Sequence, residues 1–135
     1  MAKGKRAKVD RSQASAYIAK SDQFLRAAEL AAAASEHDAV MLNAIHAAIS
    51  AADAVTVGLA GIRSSDPDHQ RAADLLEEVA GASGEVHTQT RQLRQLLSSK
   101  NAVEYESRRA RAAESAEALK RASRFVAWAK EVVRG

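Results

Sequence analysis

Apolar residues first recur at helical spacing between Ser12 and about Ala34, at Ala16, Ile18, Ala19, Phe24, Leu25, Ala28, Leu30 and Ala31. This predicts a first helix, with Ser12 as its N-cap. Ser35-Glu36-His37-Asp38 then punctuates the chain, and a second helix is expected over about 37–60. That stretch is apolar almost all round, as suits the centre of a bundle. Its polar side chains Asn43, His46, Ser50 and Asp53 recur at intervals of three, four and three, forming one narrow stripe. Such a stripe fixes helix register, points at solvent, or faces a polar cleft or a partner.

Gly58 and Gly61 mark the end of the second helix. Asp66-Pro67 opens a third, with an acidic N-cap and proline at the first helical position. It runs to about Ala80 with Ala72, Ala73, Leu75, Leu76 and Val79 inward, and it puts His69 in its first turn. Gly81 and Gly84 break it. A fourth helix spans about Glu85 to Leu97, with Leu93, Leu96 and Leu97 inward. Residues 98–108 carry no clear period. A long helix from about Arg109 to Val133 then turns Ala112, Ala116, Leu119, Ala122, Phe125, Val126 and Ala129 to the core. The first eleven residues are polar, basic and aperiodic, the signature of a disordered arm. The expected organisation is therefore a disordered arm over 1–11 and one all-α domain over 12–135, an up-and-down bundle of four to five helices.

Composition supports helices over sheet. Alanine dominates the apolar residues, aromatics are 4%, and the 135 residues include six glycines and one proline. There is no cysteine, so disulfides and thiolate metal sites are ruled out. No stretch of roughly 20 uninterrupted apolar residues is present, and the expectation is a cytoplasmic protein that does not engage a membrane. Phe125 and Trp128 are read as core residues.

The net charge of +3 conceals an asymmetry. Residues 1–11 carry five basic and one acidic side chain, 12–99 six and eleven, and 100–135 nine and five, so basic ends flank an acidic middle. Lys3, Lys5, Arg6, Lys8 and Arg11 are candidate contacts for a polyanion. The chain lacks Glu-x-x-His and His-Glu-x-x-His, and Asp66-x-x-His69 alone supplies too few ligands, so neither a metal nor another cofactor is expected. It also lacks a glycine-rich phosphate loop and a nucleophile elbow.

The candidate chemistry lies in Arg63-Ser64-Ser65-Asp66-Pro67-Asp68-His69. Arg63 is a permanent cation whose donor fork matches phosphate oxygens, and His69 is of the residue type that exchanges protons near neutrality. Together they are a candidate catalytic pair for RNA cleavage without a metal. At the third position of the next helix, the positive end of the helix dipole would keep His69 neutral. Asn43, His46, Ser50, Asp53, Ser64 and Asp68 are its candidate supports, since the second helix leads directly into this loop. Lys100 and Tyr105 are candidate RNA contacts, with packing, its hydroxyl left at the surface, the first expectation for the tyrosine.

Arg63-x5-His69 also fits the R-x(4-6)-H motif of HEPN domains, small helical bundles that include ribonucleases. The run from Asn43 to Ala54 leading into Gly61-Ile62-Arg63-Ser64, followed by Asp68 to Leu76, resembles small bacterial HEPN proteins of actinobacterial type. Lys100-Asn101-Ala102-Val103-Glu104-Tyr105 resembles the family's lysine/arginine-to-tyrosine segment. The resemblance covers roughly residues 12–130. It implies a metal-independent endoribonuclease leaving a 2′,3′-cyclic phosphate, a homodimer that juxtaposes two motifs, and a toxin paired with an antitoxin protein. Other relatives are non-catalytic, so a homodimeric binding or scaffolding module remains the alternative.

Overall fold

Alanine and valine cover α2 (His37–Ala60) on nearly every side, and the other helices pack around it. The computed structural model describes residues 4–81 and 83–135. α1 (Ala14–Ala33), α2, α3 (Gln70–Ala80), α4 (Gly84–Ser98) and α6 (Ala112–Arg134) form an all-α bundle. The aperiodic segment contributes α5 (Lys100–Tyr105), a helix of six residues.

α2 buries fourteen residues, from Val40 to Val57. By length and composition it is apolar enough to cross a membrane, but most of that stretch is buried inside the protein, as expected of a core helix. Its small side chains let α1 and α6 approach closely. The buried Ser21 hydroxyl uses that proximity, donating across the α1–α2 contact to the Ala47 carbonyl at 2.8 Å. Ile45, Val55, Leu76, Leu93, Phe125 and Val126 fill the centre.

Two helix faces differ from the expected ones. In α1 the buried residues are Ala14, Ser21 and Ala28, while Ala16 and Ala19 are exposed and Leu30 is 74% exposed. α6 turns Ser115, Ala118, Ala122, Phe125, Val126, Trp128 and Ala129 inward and leaves Ala112 and Ala116 exposed. A polar side chain sits on each buried face, and each has a partner. Besides the Ser21 bond, Ser115 Oγ donates to Ala112 O at 3.0 Å and lies 2.9 Å from His37 Nδ1. Asp38 accepts the Ala110 backbone N–H at 2.7 Å, tying the start of α6 to the start of α2.

The segment expected to be a disordered arm is structured from Gly4 onward. Arg6–Lys8 forms β1, antiparallel to β2 (Ile62–Ser64), with Arg6 opposite Ser64, Ala7 opposite Arg63 and Lys8 opposite Ile62. The backbone at 61–65, outside any helix, presents donors and acceptors that need partners, and the arm supplies them. Val9 N donates to Gly61 O and Ser65 N to Lys5 O, both at 2.9 Å, and Lys5 N donates to the Asp66 carboxylate at 3.0 Å. The Arg6 guanidinium pairs with Glu78 of α3. After β1, Asp10 accepts the Ser12 N–H at 2.9 Å and opens a short 3₁₀ turn, Arg11–Gln13. The capping residue at this end is thus Asp10, where Ser12 was expected, and α1 starts at Ala14.

α3 also begins later than expected, at Gln70, with His69 at its N-cap. Asp66 Oδ1 accepts Asp68 N at 2.9 Å and Asp68 Oδ1 accepts Gln70 N at 3.0 Å. Two consecutive side-chain turns of this kind displace the first helical turn that Pro67 was expected to open. Arg94 of α4 then bonds Asp74 at 2.8 Å and Glu77 at 3.0 Å, fixing α3 against α4.

Candidate functional site

Gly61 ends α2 in the left-handed conformation (φ 67°), its N–H bonding Val57 O at 2.9 Å. That turn, strand β2 and the two aspartate turns carry the chain from Arg63 to His69. Both side chains line one cleft of about 160 Å³, with Ile49, Asp53, Ser64 and Asp66 among the other walls. The loop thus brings the sequence-predicted pair to a single hollow.

Asp53 is 8% exposed and holds Arg63, which is 34% exposed, through Nε at 3.5 Å. The guanidinium carbon stands 6.0 Å from the centre of the Tyr17 ring, at the edge of cation–π range. Burial pushes the Asp53 carboxyl up to about 6, against the opposing pull of Arg63 and then Lys20. His69 is held below the ordinary histidine value, chiefly by burial and next by the Lys100 charge, with Glu104 and Asp68 pulling the other way. The neutral imidazole expected from a helix dipole therefore has another cause: His69 stands at the N-cap, and desolvation dominates.

A larger cleft of about 470 Å³ adjoins the first, and His69 lines both. Its walls include Asp68, Leu97, Lys100, Asn101, Glu104 and Tyr105. Lys100 pairs with Glu104 at 2.7 Å, one helical turn apart, and holds that carboxyl below its usual range. Glu104 also lies 3.9 Å from His46 Nε2. The His46 ring packs 5.4 Å from that of Phe24 and is held below the usual histidine value by burial first, then by Lys100.

The polar stripe on α2 is divided. Asp53 lines the smaller cleft, whereas His46 lines neither and meets the larger one only through Glu104, 3.9 Å away. Asn43 donates to Ala39 O of its own helix at 2.9 Å, and Ser50 is buried, neither lining these clefts. Ser64 lines the smaller cleft and accepts the Asp66 N–H at 3.4 Å. Asp68 lines the larger and caps Gln70. Lys100 and Tyr105 both border the larger cleft, and the tyrosine, expected to pack, is 77% exposed.

Of the basic arm, Lys3 lies outside the described residues. Arg6 is committed to Glu78, while Lys5, Lys8 and Arg11 are exposed. Sequence reasoning missed Tyr17, Ile49, Asn101 and Glu104. Only the i, i+4 pairing of Lys100 with Glu104 left a readable signal. Among the described residues, no group of three or more His, Asp or Glu side chains is placed to hold a metal ion.

No protein-family model, no curated protein and no solved structure matches the chain.

Proposed function

We propose that this protein is a HEPN-like RNA-binding protein that cleaves RNA without a metal, using Arg63 on the phosphate and His69 as acid and base. The supporting observation is that the guanidinium and an imidazole biased to its neutral form line one water-accessible cleft. A neutral imidazole removes the proton from a ribose 2′-OH. The 2′-oxygen attacks the adjacent phosphorus, the P–O5′ bond breaks, and an imidazolium, in this subunit or a second copy, returns a proton to the leaving 5′-oxygen. A 2′,3′-cyclic phosphate and a 5′-hydroxyl result. Arg63 balances the charge that builds on the non-bridging oxygens, and Asp53 sets its direction. The resemblance extends the reading to a homodimer of toxin or defence type, neutralised by a cognate antitoxin protein, and the cysteine-free sequence fits a cytoplasmic setting.

One observation favours a non-catalytic binding or scaffolding module: Arg63 already has a buried carboxylate partner, Asp53, at its Nε. Purified protein, labelled RNA and EDTA separate the two. Cutting that survives EDTA and disappears in both Arg63→Ala and His69→Ala supports the nuclease; absence of cutting, or cutting unchanged by His69→Ala, defeats it.

A further inference from the structure

We infer that the larger cleft beside His69 is a nucleobase pocket, which takes one unstacked base of single-stranded RNA on the Tyr105 ring with the base edge toward Asn101. This rests on the proposed RNA function and names what lies next to the phosphate held by Arg63.

Size and continuity come first. About 470 Å³ falls within the range of small-ligand pockets. Because His69 lines both hollows, a nucleotide with its phosphate at Arg63 can place its base in the second without leaving the imidazole.

The chemistry of the walls favours a base over a second phosphate. Lys100 is the one cation of fixed charge among the lining residues, and it is neutralised by Glu104 at 2.7 Å. Asp68 adds a negative charge that repels phosphate. Gln70 is occupied on both sides of its amide, donating to Arg94 O and accepting from the Arg94 guanidinium. What remains is an exposed aromatic ring, the buried Leu97 as an apolar floor, and the exposed Asn101 amide, which can both donate and accept. A flat ring with an adaptable amide at its edge is how proteins hold unpaired RNA bases. Tyr105 also contributes little to the core, being 77% exposed, and its side-chain interaction is with Glu104 in the wall of the same cleft.

The test measures binding of the full chain to short 2′-O-methyl oligonucleotides, which cannot be cut because the attacking oxygen is capped. Fluorescence anisotropy would compare the four homopolymers with an abasic strand of the same backbone. Tyr105→Ala is expected to weaken binding of the preferred homopolymer about tenfold or more, the scale of one base–aromatic stack. Tyr105→Phe should match the parent protein, the abasic strand should bind the parent as weakly as the homopolymer binds Tyr105→Ala, and Asn101→Ala should change the order of preference among bases. Equal binding of abasic and intact strands, or no effect of Tyr105→Ala, overturns the pocket. Binding that depends on Tyr105 without any cleavage of ordinary RNA would leave the pocket standing and remove the nuclease. Cleavage that depends on His69 but not on Tyr105 would do the reverse. No binding of any strand removes both.

Discussion

Arg63 Nε lies 3.5 Å from Asp53 Oδ2, joining the cation of the candidate site to a carboxyl that the core helix has almost removed from water. The partners are unequal. The arginine can turn to solvent or to a ligand; the aspartate cannot.

That inequality sets a pH dependence. The folded-state value of Asp53, about 6, exceeds its ordinary 3.8, so between these values the native protein binds more protons than the unfolded chain. Its contribution to stability falls as pH rises through that window and costs on the order of 3 kcal/mol above it. His46 and His69, held low, act oppositely up to about pH 6.5. The informative quantity is therefore the difference between Asp53→Asn and the parent in urea unfolding. The variant should gain relative stability from pH 4 to 7; a difference that stays constant would remove the raised carboxyl from the account.

Lys100 is the leading charge acting against protonation of both His46 and His69. Lys100→Met should raise both imidazole midpoints, followed by NMR titration, since it deletes a cation and frees the Glu104 carboxylate. In the nuclease reading the acid limb of the rate profile should move to higher pH with them. Unmoved midpoints would mean that burial alone sets the two histidines.

The pairing of β1 with β2 makes the basic arm structural as well as electrostatic. Deleting residues 1–8 should cost about 1–3 kcal/mol locally, the sum of a few net hydrogen bonds. Protection of the Ser65 amide, which donates to Lys5 O, should vanish in hydrogen exchange while core α2 amides stay protected. A role for exposed Lys5 and Lys8 in RNA affinity needs point substitutions to glutamine, which leave the strand intact. These should reduce the salt dependence of binding.

Phe125 and Leu30 test the packing. Phe125→Ala removes a fully buried ring and should lose about 3–5 kcal/mol in denaturant unfolding. Leu30→Ala, on a side chain mostly in water, should stay within about 0.5 kcal/mol of the parent.

Helix existence was legible because the punctuation is strong: Gly61, Gly81 and Gly84 stand at or beside real ends. Helix faces were less so. Alanine contributes weakly to any apolar pattern, and Ser21 and Ser115, which satisfy their hydroxyls inside the core, look like surface positions in a one-dimensional reading. A strand of three residues has too few positions to show a period, which is why the arm looked unstructured. At the site, Arg63 and His69 were readable by residue type. The causes acting on them were not, because Asp53, Lys100 and Glu104 meet them only through tertiary packing. Tyr105 was misjudged for a related reason: a short helix after the leucine-rich α4 leaves the ring at the rim of a cleft.

Because β1 precedes its partner strand by more than fifty residues, it emerges from a ribosome several seconds before Ser64, at translation rates of about 5–20 residues per second. A nascent chain long enough to fold the α1–α2 hairpin still has an open 62–66 loop. The cleft is thus complete only once the core helix has ended and its exit has been clasped by a strand made more than fifty residues earlier.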